Sequence, residues 1–397
     1  MKGITGCDPD RIQRISPEDG KHYFFGYYDI PSMTGDDRFH LANRVGFMDR
    51  LPEPSDVSEL GLLDTATGEF QKFAETYAWN FQQGSLMQWK GTENCREVVY
   101  NVFEDGGYRA AVLDLPTGKR RLYDYPVANV SPDGRYGLCI NLSRVYDFRP
   151  GYGYCNKKDP WAAVNVPEDD GLRLLDFKTG ESRLLFSYRD LEDQLVHEPE
   201  MKGQKIVINH INFNTDSSRY LFLLRNFPEP GKKWGTIMAS GDLTGNLFCW
   251  SPYTVASHYH WKDGRTIVIY ADCGEGLTIY ETEDLTGKYR RYSEKYFPDD
   301  IHCSYSPDRR FILGDGYPAE DGYRDIYLYC FETDRIKSLC RVYSPFLSDM
   351  DIRCDSHCRW MHNGHGFTFD GIHEGFRGIY RMDIQKDMEE LSCPGRG

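Results

Sequence analysis

Four histidines recur along the second half of the chain, and each opens a copy of one local pattern. In every copy an aromatic residue follows three positions later, and a polar turn and an apolar strand come next. The histidines are His210, His258, His302 and His357, about 50 residues apart, which is the length of a four-stranded propeller blade. Such a fold brings equivalent positions to one axis, where neutral imidazoles suit a divalent cation. The pattern predicts a site for Zn²⁺ or Mn²⁺, with Ca²⁺ as an alternative, although any one of these histidines taken alone would more commonly cap its strand.

Other residues near the last histidine could take part in this metal site. Asp355 lies two residues before His357, on the same side of an extended chain, so it could supply a carboxylate ligand. Cys303 and Cys358 directly follow ring histidines and should therefore turn away from the axis. A thiolate from Cys354 or Cys358 at the metal would favour zinc.

A second repeat runs out of phase with the first and predicts the remaining turns. Its first three copies have the form Asp-x-x-Thr-Gly, which is typical of a tight turn between two strands, and the later copies are shorter or more divergent. Seven copies are found, at 63–68, 113–118, 175–180, 242–245, 284–287, 331–334 and 383–387. We therefore predict an all-β, seven-bladed β-propeller with four antiparallel strands per blade. Residues 1–397 are expected to form one domain with a short N-terminal extension at 1–20.

The net charge and the composition of the chain argue against some classes of binding partner. The net charge of −14 argues against nucleic acid or an anionic membrane surface as a general partner, since both require an extended basic face. No apolar run is long enough to cross a bilayer, and residues 1–14 lack the apolar core of a signal peptide. The cysteines lack the spacing of a disulfide framework. We expect a cytoplasmic protein, or a periplasmic or secreted one if a leader has been removed; the sequence leaves the oligomeric state open.

Arginines are predicted on the same face of the propeller as the histidines. The longest loops, at 43–60, 141–170 and 225–235, connect the second and third strands of their blades, and these connections share a rim with the start of each inner strand. Arg44, Arg144 and Arg225 lie just past predicted second strands, and Arg149 lies in the 141–170 loop. Singly, each is more often solvated or bridges two blades. Together they are predicted to form a pocket for a carboxylate or sulfate group.

Aromatic and amide side chains complete the predicted site. Tyr28, Asn80, Gln83 and Tyr152 fall on or near this rim, where rings can stack on sugar faces and amides can bind hydroxyl groups. About half of such residues are expected to be structural instead.

Several motifs resemble those of the seven-bladed propeller polysaccharide lyases, a group with the oligogalacturonate lyases and the propeller ulvan and rhamnose–glucuronate lyases. They are His22-Tyr-Phe-Phe-Gly-Tyr-Tyr-Asp29, Ala78-Trp-Asn-Phe-Gln-Gln-Gly84, Arg149-Pro-Gly-Tyr-Gly-Tyr154 and the four histidine openings. The resemblance spans nearly the whole chain. It implies cleavage at C4 of a uronic acid by β-elimination, with a divalent cation near the axis and an acidic oligo- or polysaccharide as substrate.

The resemblance implies two alternative sets of catalytic residues. The oligogalacturonate lyase pattern implies that His258 is the base and that His302 and His357 bind the metal. Where that family has a further histidine, this chain has Asp355, which leaves the ligand set open. The ulvan lyase pattern implies that Tyr146 and Arg149 carry the reaction.

The chemistry of β-elimination fits either set of residues. A proton α to a carboxylate is removed only when the carboxylate charge is neutralised, by a cation or by arginines such as Arg149 and Arg225. His258 or Tyr146 could act as base, and Tyr146 as acid. Two alternatives stay open: a non-catalytic propeller that binds glycan or protein, and a glycoside hydrolase, which would need two facing carboxylates.

Overall fold

The predicted seven-bladed β-propeller is confirmed. The computed structural model describes residues 3–91, 95–292, 295–347 and 349–393, without the side chains of 251–254. Seven antiparallel sheets make up the molecule, and within each blade consecutive strands pair as neighbours from the axis outward. In the described part of the chain, no helix is both long and apolar enough to cross a membrane.

The strands follow one another in the order of the blades. The chain begins with β1 (Ile4–Thr5), a 3-10 helix (Pro9–Arg11) and β2 (Ile12–Arg14). Blade 1 contains β3 (His22–Phe24), β4 (Phe39–Val45), β5 (Ser58–Asp64) and β6 (Phe70–Thr76). Blade 2 contains β7 (Gln88–Trp89), β8 (Glu97–Glu104), β9 (Gly107–Asp114) and β10 (Lys119–Tyr123). Blade 3 contains β11 (Asn129–Val130), β12 (Tyr136–Cys139), β13 (Gly171–Asp176) and β14 (Ser182–Ser187).

The second half of the propeller repeats this arrangement. Blade 4 contains β15 (Ile206–Phe213), β16 (Arg219–Asn226), β17 (Thr236–Asp242) and β18 (Leu247–Thr254). Blade 5 contains β19 (Ala256–Trp261), β20 (Thr266–Asp272), β21 (Leu277–Glu283) and β22 (Tyr289–Arg291). Blade 6 contains β23 (Ile301–Tyr305), β24 (Phe311–Gly316), β25 (Tyr323–Cys330) and β26 (Arg335–Tyr343). Blade 7 contains β27 (Arg359–Trp360), β28 (Gly366–Gly371) and β29 (Gly378–Asp383).

Short helices lie in the connections. They are α1 (Leu142–Phe148), a 3-10 helix at Pro150–Tyr152, α2 (Tyr188–Leu195), a 3-10 helix at Met350–Ile352, and α3 (Gln385–Ser392). Both α1 and the first of these 3-10 helices belong to the long 141–170 loop. The Asn141 side chain caps α1 by accepting hydrogen bonds from the backbone N–H groups of Ser143 and Arg144.

The N-terminal segment closes the propeller. Strand β2 pairs with β29 as the fourth strand of blade 7, with Ile12 opposite Met382, and β1 adds a fifth strand to blade 6. The prediction of a seventh outer turn at 383–387 is therefore wrong, because α3 begins at Gln385 and the outer strand comes from the other end of the chain.

The aspartate of the repeat stabilises the outer turns, as the sequence pattern suggests. In blade 1, Asp64 Oδ1 accepts hydrogen bonds from the N–H groups of Ala66 and Thr67 (2.9 and 3.2 Å). Gly68 closes the turn at a φ of 73°, a left-handed conformation that costs glycine little. Local side-chain chemistry thus sets these turns independently of the packing.

The aromatic residue three positions after three of the four histidines joins its blade to the preceding one. Trp261 Nε1 donates to Asn212 Oδ1 of blade 4 (3.1 Å), Tyr305 donates its hydroxyl to Glu281 of blade 5 (2.9 Å), and Trp360 Nε1 donates to the Ser304 carbonyl of blade 6 (3.2 Å). The repeat therefore places the histidine at the axis and its aromatic partner in the blade interface. Cys303 and Cys358 are buried in these interfaces, as the alternation predicted.

Candidate active site

Two tyrosines occupy the propeller axis, and the four predicted histidines surround them. The Tyr27 ring centroid lies 4.9 to 6.3 Å from the four imidazole centroids, and the Tyr28 centroid lies 5.4 to 6.4 Å from them. The Tyr28 hydroxyl donates to the Tyr259 carbonyl (2.8 Å) and accepts from the Tyr259 N–H (2.9 Å). Tyr28, predicted to bind substrate, thus has its hydroxyl engaged by the scaffold.

Aspartates hold three of the four imidazoles in place. The pairs are His210 Nε2 with Asp29 Oδ2 (2.7 Å), His258 Nδ1 with Asp300 Oδ1 (2.9 Å) and His302 Nδ1 with Asp315 Oδ2 (3.1 Å). A carboxylate that accepts a hydrogen bond from one ring nitrogen fixes the tautomer and leaves a lone pair on the other nitrogen. His258 and His302 therefore present the lone pair of Nε2, whereas the Nε2 of His210 is already engaged.

Two of the predicted metal ligands meet Asp355 in one cluster. The ligand atoms of His302, Asp355 and His357 lie within 4.8 Å of one another. The Nε2 atoms of both histidines are buried and lack a hydrogen-bond partner among the described residues. Burial also holds the pKa of His357 well below its ordinary value, so its ring is neutral. Two unpartnered imidazole nitrogens beside a carboxylate can hold a divalent cation, whereas His210 and His258 lie outside this cluster.

Two buried arginines hold the Asp355 carboxylate. Arg324 Nη2 lies 2.7 Å from Oδ1, and Arg353 Nη2 lies 2.7 Å from Oδ2. Burial alone would raise the pKa of Asp355, but the two guanidinium groups hold it well below its ordinary value. The carboxylate is therefore ionised and oriented, with part of its charge already compensated. Arg353 also donates to the hydroxyl of Tyr152 (2.8 Å).

A cavity of about 440 Å³ opens beside the histidines, and His258 lies in its wall. Three basic side chains line the cavity, from Arg149, Arg225 and Lys233, together with Tyr152 and His210. Burial lowers the pKa of His258 to about 4, and the attraction of Asp300 offsets only part of that effect. The imidazole is therefore neutral at pH 7 and able to accept a proton.

Neither Arg225 nor Arg149 pairs with a carboxylate among the described residues. Arg225 is 7% exposed, and it donates to neutral oxygens of Thr236 (3.3 Å), Asn209 and Ala256 (3.2 Å). Burial and the nearby charge of Arg149 lower the pKa of Arg225 to about 10. The Arg149 guanidinium stacks on the Tyr152 ring at 4.2 Å. Two uncompensated guanidinium groups at one cavity form a binding site for an anion.

The structure gives Arg144 a different role from the one predicted. Its side chain is fully buried, and Nη1 lies 3.3 Å from Asp159. The same guanidinium donates to the carbonyls of Ile206 (2.7 Å), Val164 (3.3 Å) and Asn165. Arg144 therefore anchors the 141–170 loop and has no surface that a substrate could reach.

The remaining predicted residues are not among those that line the cavity. Asn80 donates to the Gly153 carbonyl (3.3 Å) and accepts from two backbone N–H groups. Gln83 lines a separate cavity of about 20 Å³, and Arg44 pairs with Glu59 (2.7 Å). Tyr146 is half-buried on α1, and burial raises its pKa. These four side chains support or surround the site rather than enter it.

Sequence reasoning missed several residues that hold the site together. They are Asp300, Asp315, Arg324, Arg353 and Tyr317. A signal existed for Asp300, because it stands two residues before His302 just as Asp355 stands before His357. Asp315 lies directly opposite His302 on the neighbouring strand, and only the strand register reveals this pairing.

Comparison with known proteins shows similarity in structure and none in sequence. No family model matches the chain, and no curated protein matches it in sequence. An oligogalacturonate lyase solved in complex with manganese superposes with a TM-score of 0.69 at 16% identity, covering 95% of this chain and 94% of that one. The oligogalacturonate lyase of Vibrio parahaemolyticus gives 0.66 at 17% identity, with 95% and 94% covered. The tricorn protease gives 0.52 at 12% identity, with 94% of this chain but 35% of that chain covered. At such identities, the comparisons establish the propeller fold.

Proposed function

We propose that this protein is a lyase that cleaves a uronate-containing oligosaccharide by β-elimination. The observation that carries the proposal is the pair of uncompensated guanidinium groups, Arg149 and Arg225, in the same cavity as the neutral imidazole of His258. Elimination at C4 of a uronate needs these two functions together: neutralisation of the carboxylate and a base for the neighbouring C–H. The structural similarity to oligogalacturonate lyases agrees with this chemistry.

Arg225 and Arg149 bind the substrate carboxylate and stabilise the negative charge that develops on it when C5 loses its proton. Arg225 is held by neutral oxygens, so its charge is available to the substrate. Because Arg225 is buried, this interaction is stronger than it would be in bulk water.

His258 accepts the C5 proton on Nε2. Its Nδ1 donates to Asp300, which orients the ring and stabilises the imidazolium that forms. The C5–H electron pair becomes the C4=C5 double bond, and the C4–O4 bond breaks. The leaving O4 takes a proton from Tyr152, whose hydroxyl oxygen accepts a hydrogen bond from Arg353 and whose own proton can therefore point towards the cavity. Tyr152 replaces Tyr146 in this role because Tyr152 lines the cavity.

A divalent cation would be held by His302, His357 and Asp355. The two unpartnered Nε2 atoms fit this role, and Asp315 supports His302 from behind. When bound, the cation would supply a Lewis acid to the site. Nitrogen-rich ligands suit Zn²⁺ and Mn²⁺ better than Ca²⁺.

The cavity is less suited to glycoside hydrolysis. That reaction uses two carboxyl groups placed on either side of the bond, and Asp300 is the one carboxylate among the described residues that line the cavity. Asp300 is also already bound to His258 and Ser257 (2.6 Å).

The decisive experiment is a screen of acidic oligosaccharides with purified protein. Oligogalacturonates, glucuronate-containing oligosaccharides and their carboxyl-reduced counterparts are incubated with the protein before and after chelation, with Zn²⁺ or Mn²⁺ added back. We expect ultraviolet absorbance from an unsaturated uronate with an acidic substrate and none with its reduced counterpart. Cleavage that yields saturated ends, or cleavage of the reduced counterparts, would contradict the proposal.

A further inference from the structure

The mouth of the candidate active-site cavity is lined by exposed apolar side chains. Ten large apolar residues are exposed in the described part of the chain. Three of them, Trp234, Val255 and Leu277, line this one cavity and are 41%, 54% and 42% exposed. A fourth, Phe346, stacks on Tyr317, which also lines the cavity, with the ring centroids 6.1 Å apart. Exposed apolar groups that gather at one cavity with a polar rim indicate a binding surface.

The cavity is buried at its inner end and open at this mouth. His258 and Arg225, at the inner end, are 6% and 7% exposed. Because the proposed base and the guanidinium group for the carboxylate both lie at this depth, the reacting uronate occupies the inner end. A glycosidic bond joins that uronate to a further sugar ring, and this ring extends towards the mouth. The exposed apolar side chains therefore lie where the second ring of a substrate would be.

Trp234 is held in place between the inner end and the mouth. Its ring packs at a steep angle against Phe148 of α1, with the centroids 5.4 Å apart, and Phe148 packs in turn against Phe227 (5.1 Å). The Cζ atoms of Arg149 and Arg225 lie 5.8 and 5.7 Å from the Trp234 ring centroid. The indole is therefore fixed beside the two guanidinium groups, and much of the residue still stays exposed.

We propose that Trp234 forms a subsite for the sugar ring joined to the reacting uronate. The C–H groups on one face of a pyranose ring form an apolar surface that packs on an indole, and Val255 and Leu277 extend the same wall. The affinity for an acidic oligosaccharide therefore rises with the number of its rings. This inference deepens the proposed function and rests on it for the position of the uronate.

The test measures binding by calorimetry in a His258→Gln background, so that no substrate is cleaved during the titration. The ligands are galacturonate, oligogalacturonates of two to four rings, and phenylacetate, an anion with a flat apolar ring and no hydroxyl group. Trp234→Ala removes the indole, Trp234→Phe keeps an aromatic ring, and Leu277→Gln changes the wall at a second exposed position. Tyr77→Ala is the matched control, because Tyr77 is also 41% exposed but is not among the residues that line the cavity.

We expect the affinity to rise at least about tenfold from the single sugar to the tetramer. Trp234→Ala should weaken tetramer binding by about tenfold and Leu277→Gln by about threefold, while Trp234→Phe should keep most of the affinity. Each of these variants should change the binding of the single sugar by less than about twofold. Tyr77→Ala should leave all affinities unchanged.

The subsite is overturned if affinity does not rise with length, if Trp234→Ala weakens the single sugar and the tetramer equally, or if phenylacetate binds more tightly than the tetramer. Failure of the subsite can be told apart from failure of the proposed function. Length-dependent binding that Trp234→Ala removes, with no unsaturated product from the protein with His258 intact, would refute the lyase function and support the subsite. Product formation with tetramer binding that Trp234→Ala leaves unchanged would refute the subsite alone.

Discussion

Replacing Arg225 with glutamine should lower activity strongly at almost no cost in stability. Lowering the pKa of a fully buried guanidinium to about 10 corresponds to about 3 kcal/mol of unfavourable free energy for its charged form. Arg225 makes three hydrogen bonds to neutral oxygens, each worth about 1 kcal/mol. These two effects nearly cancel, so we expect the free energy of unfolding to change by no more than about 1 kcal/mol.

The effect of the same substitution on catalysis should be large. Arg225 is proposed to stabilise charge that develops on the substrate carboxylate, and loss of one such group costs about 3–4 kcal/mol in the transition state. We therefore expect kcat/KM to fall by about 10²- to 10³-fold. The assay follows the unsaturated product on whichever acidic oligosaccharide the wild type cleaves, and stability is measured by urea unfolding.

Arg144→Gln is the matched control for this experiment. Arg144 is also buried, but it pairs with the buried Asp159, and removing one partner of a buried pair costs about 3–5 kcal/mol. Arg144→Gln should therefore be strongly destabilised, in contrast to Arg225→Gln. If both variants lose stability equally, the charge of Arg225 must be paired with an opposite charge in the folded protein. That result would refute the proposal that Arg225 is free to bind the substrate carboxylate.

Three further predictions concern the base, a buried histidine and the closure of the propeller. His258→Gln should lower kcat by about 10²- to 10⁴-fold. The metal content, measured by mass spectrometry, should stay at the wild-type value. Loss of the metal would show instead that His258 is a metal ligand. His40 is buried, and burial lowers its pKa from 6.5 to about 3, so its contribution to stability is complete above pH 6.5 and is lost as the pH falls towards 3. Between pH 6 and 4, we expect the free energy of unfolding to depend on pH less steeply in His40→Gln than in wild type, by about 1.4 kcal/mol per pH unit. Urea unfolding of both proteins measures this difference, and parallel curves would contradict the prediction. Deletion of residues 1–14 should lower Tm by exposing the edge of β29, and a peptide of residues 3–20 added in trans should restore it; an unchanged Tm would show that β2 does not support closure.

The sequence predicted the architecture because its repeats report local chemistry. The Asp-x-x-Thr-Gly turns are closed by hydrogen bonds that the aspartate side chain accepts from nearby backbone N–H groups. The histidine repeats mark the inner strands. The closure by β2 was not predictable, since Ile12–Arg14 is three residues long and its partner strand is at the far end of the chain. The same limitation produced the incorrect turn at 383–387.

The candidate site was only partly predictable for a related reason. Repeat symmetry is enough to bring His302 and His357 together with Asp355. It cannot separate Arg144 from Arg225, because the sequence places both near the end of a second strand, whereas the structure places Arg144 in α1 and Arg225 within β16, each with partners that only the tertiary structure supplies. The partner of Arg144, Asp159, lies inside the long 141–170 loop, whose course no local pattern indicates.

The pairing of β2 with β29 has a consequence during protein synthesis. Strand β2 is synthesised long before β29, so its hydrogen bonds cannot form and the ring stays open until β29 has left the ribosome. During that interval β2 has no partner strand, and unprotected strand edges promote aggregation. Yield in a heterologous host should therefore depend on how quickly β2 meets β29, and a bulky fusion placed before β2 should slow that encounter more than one placed after α3.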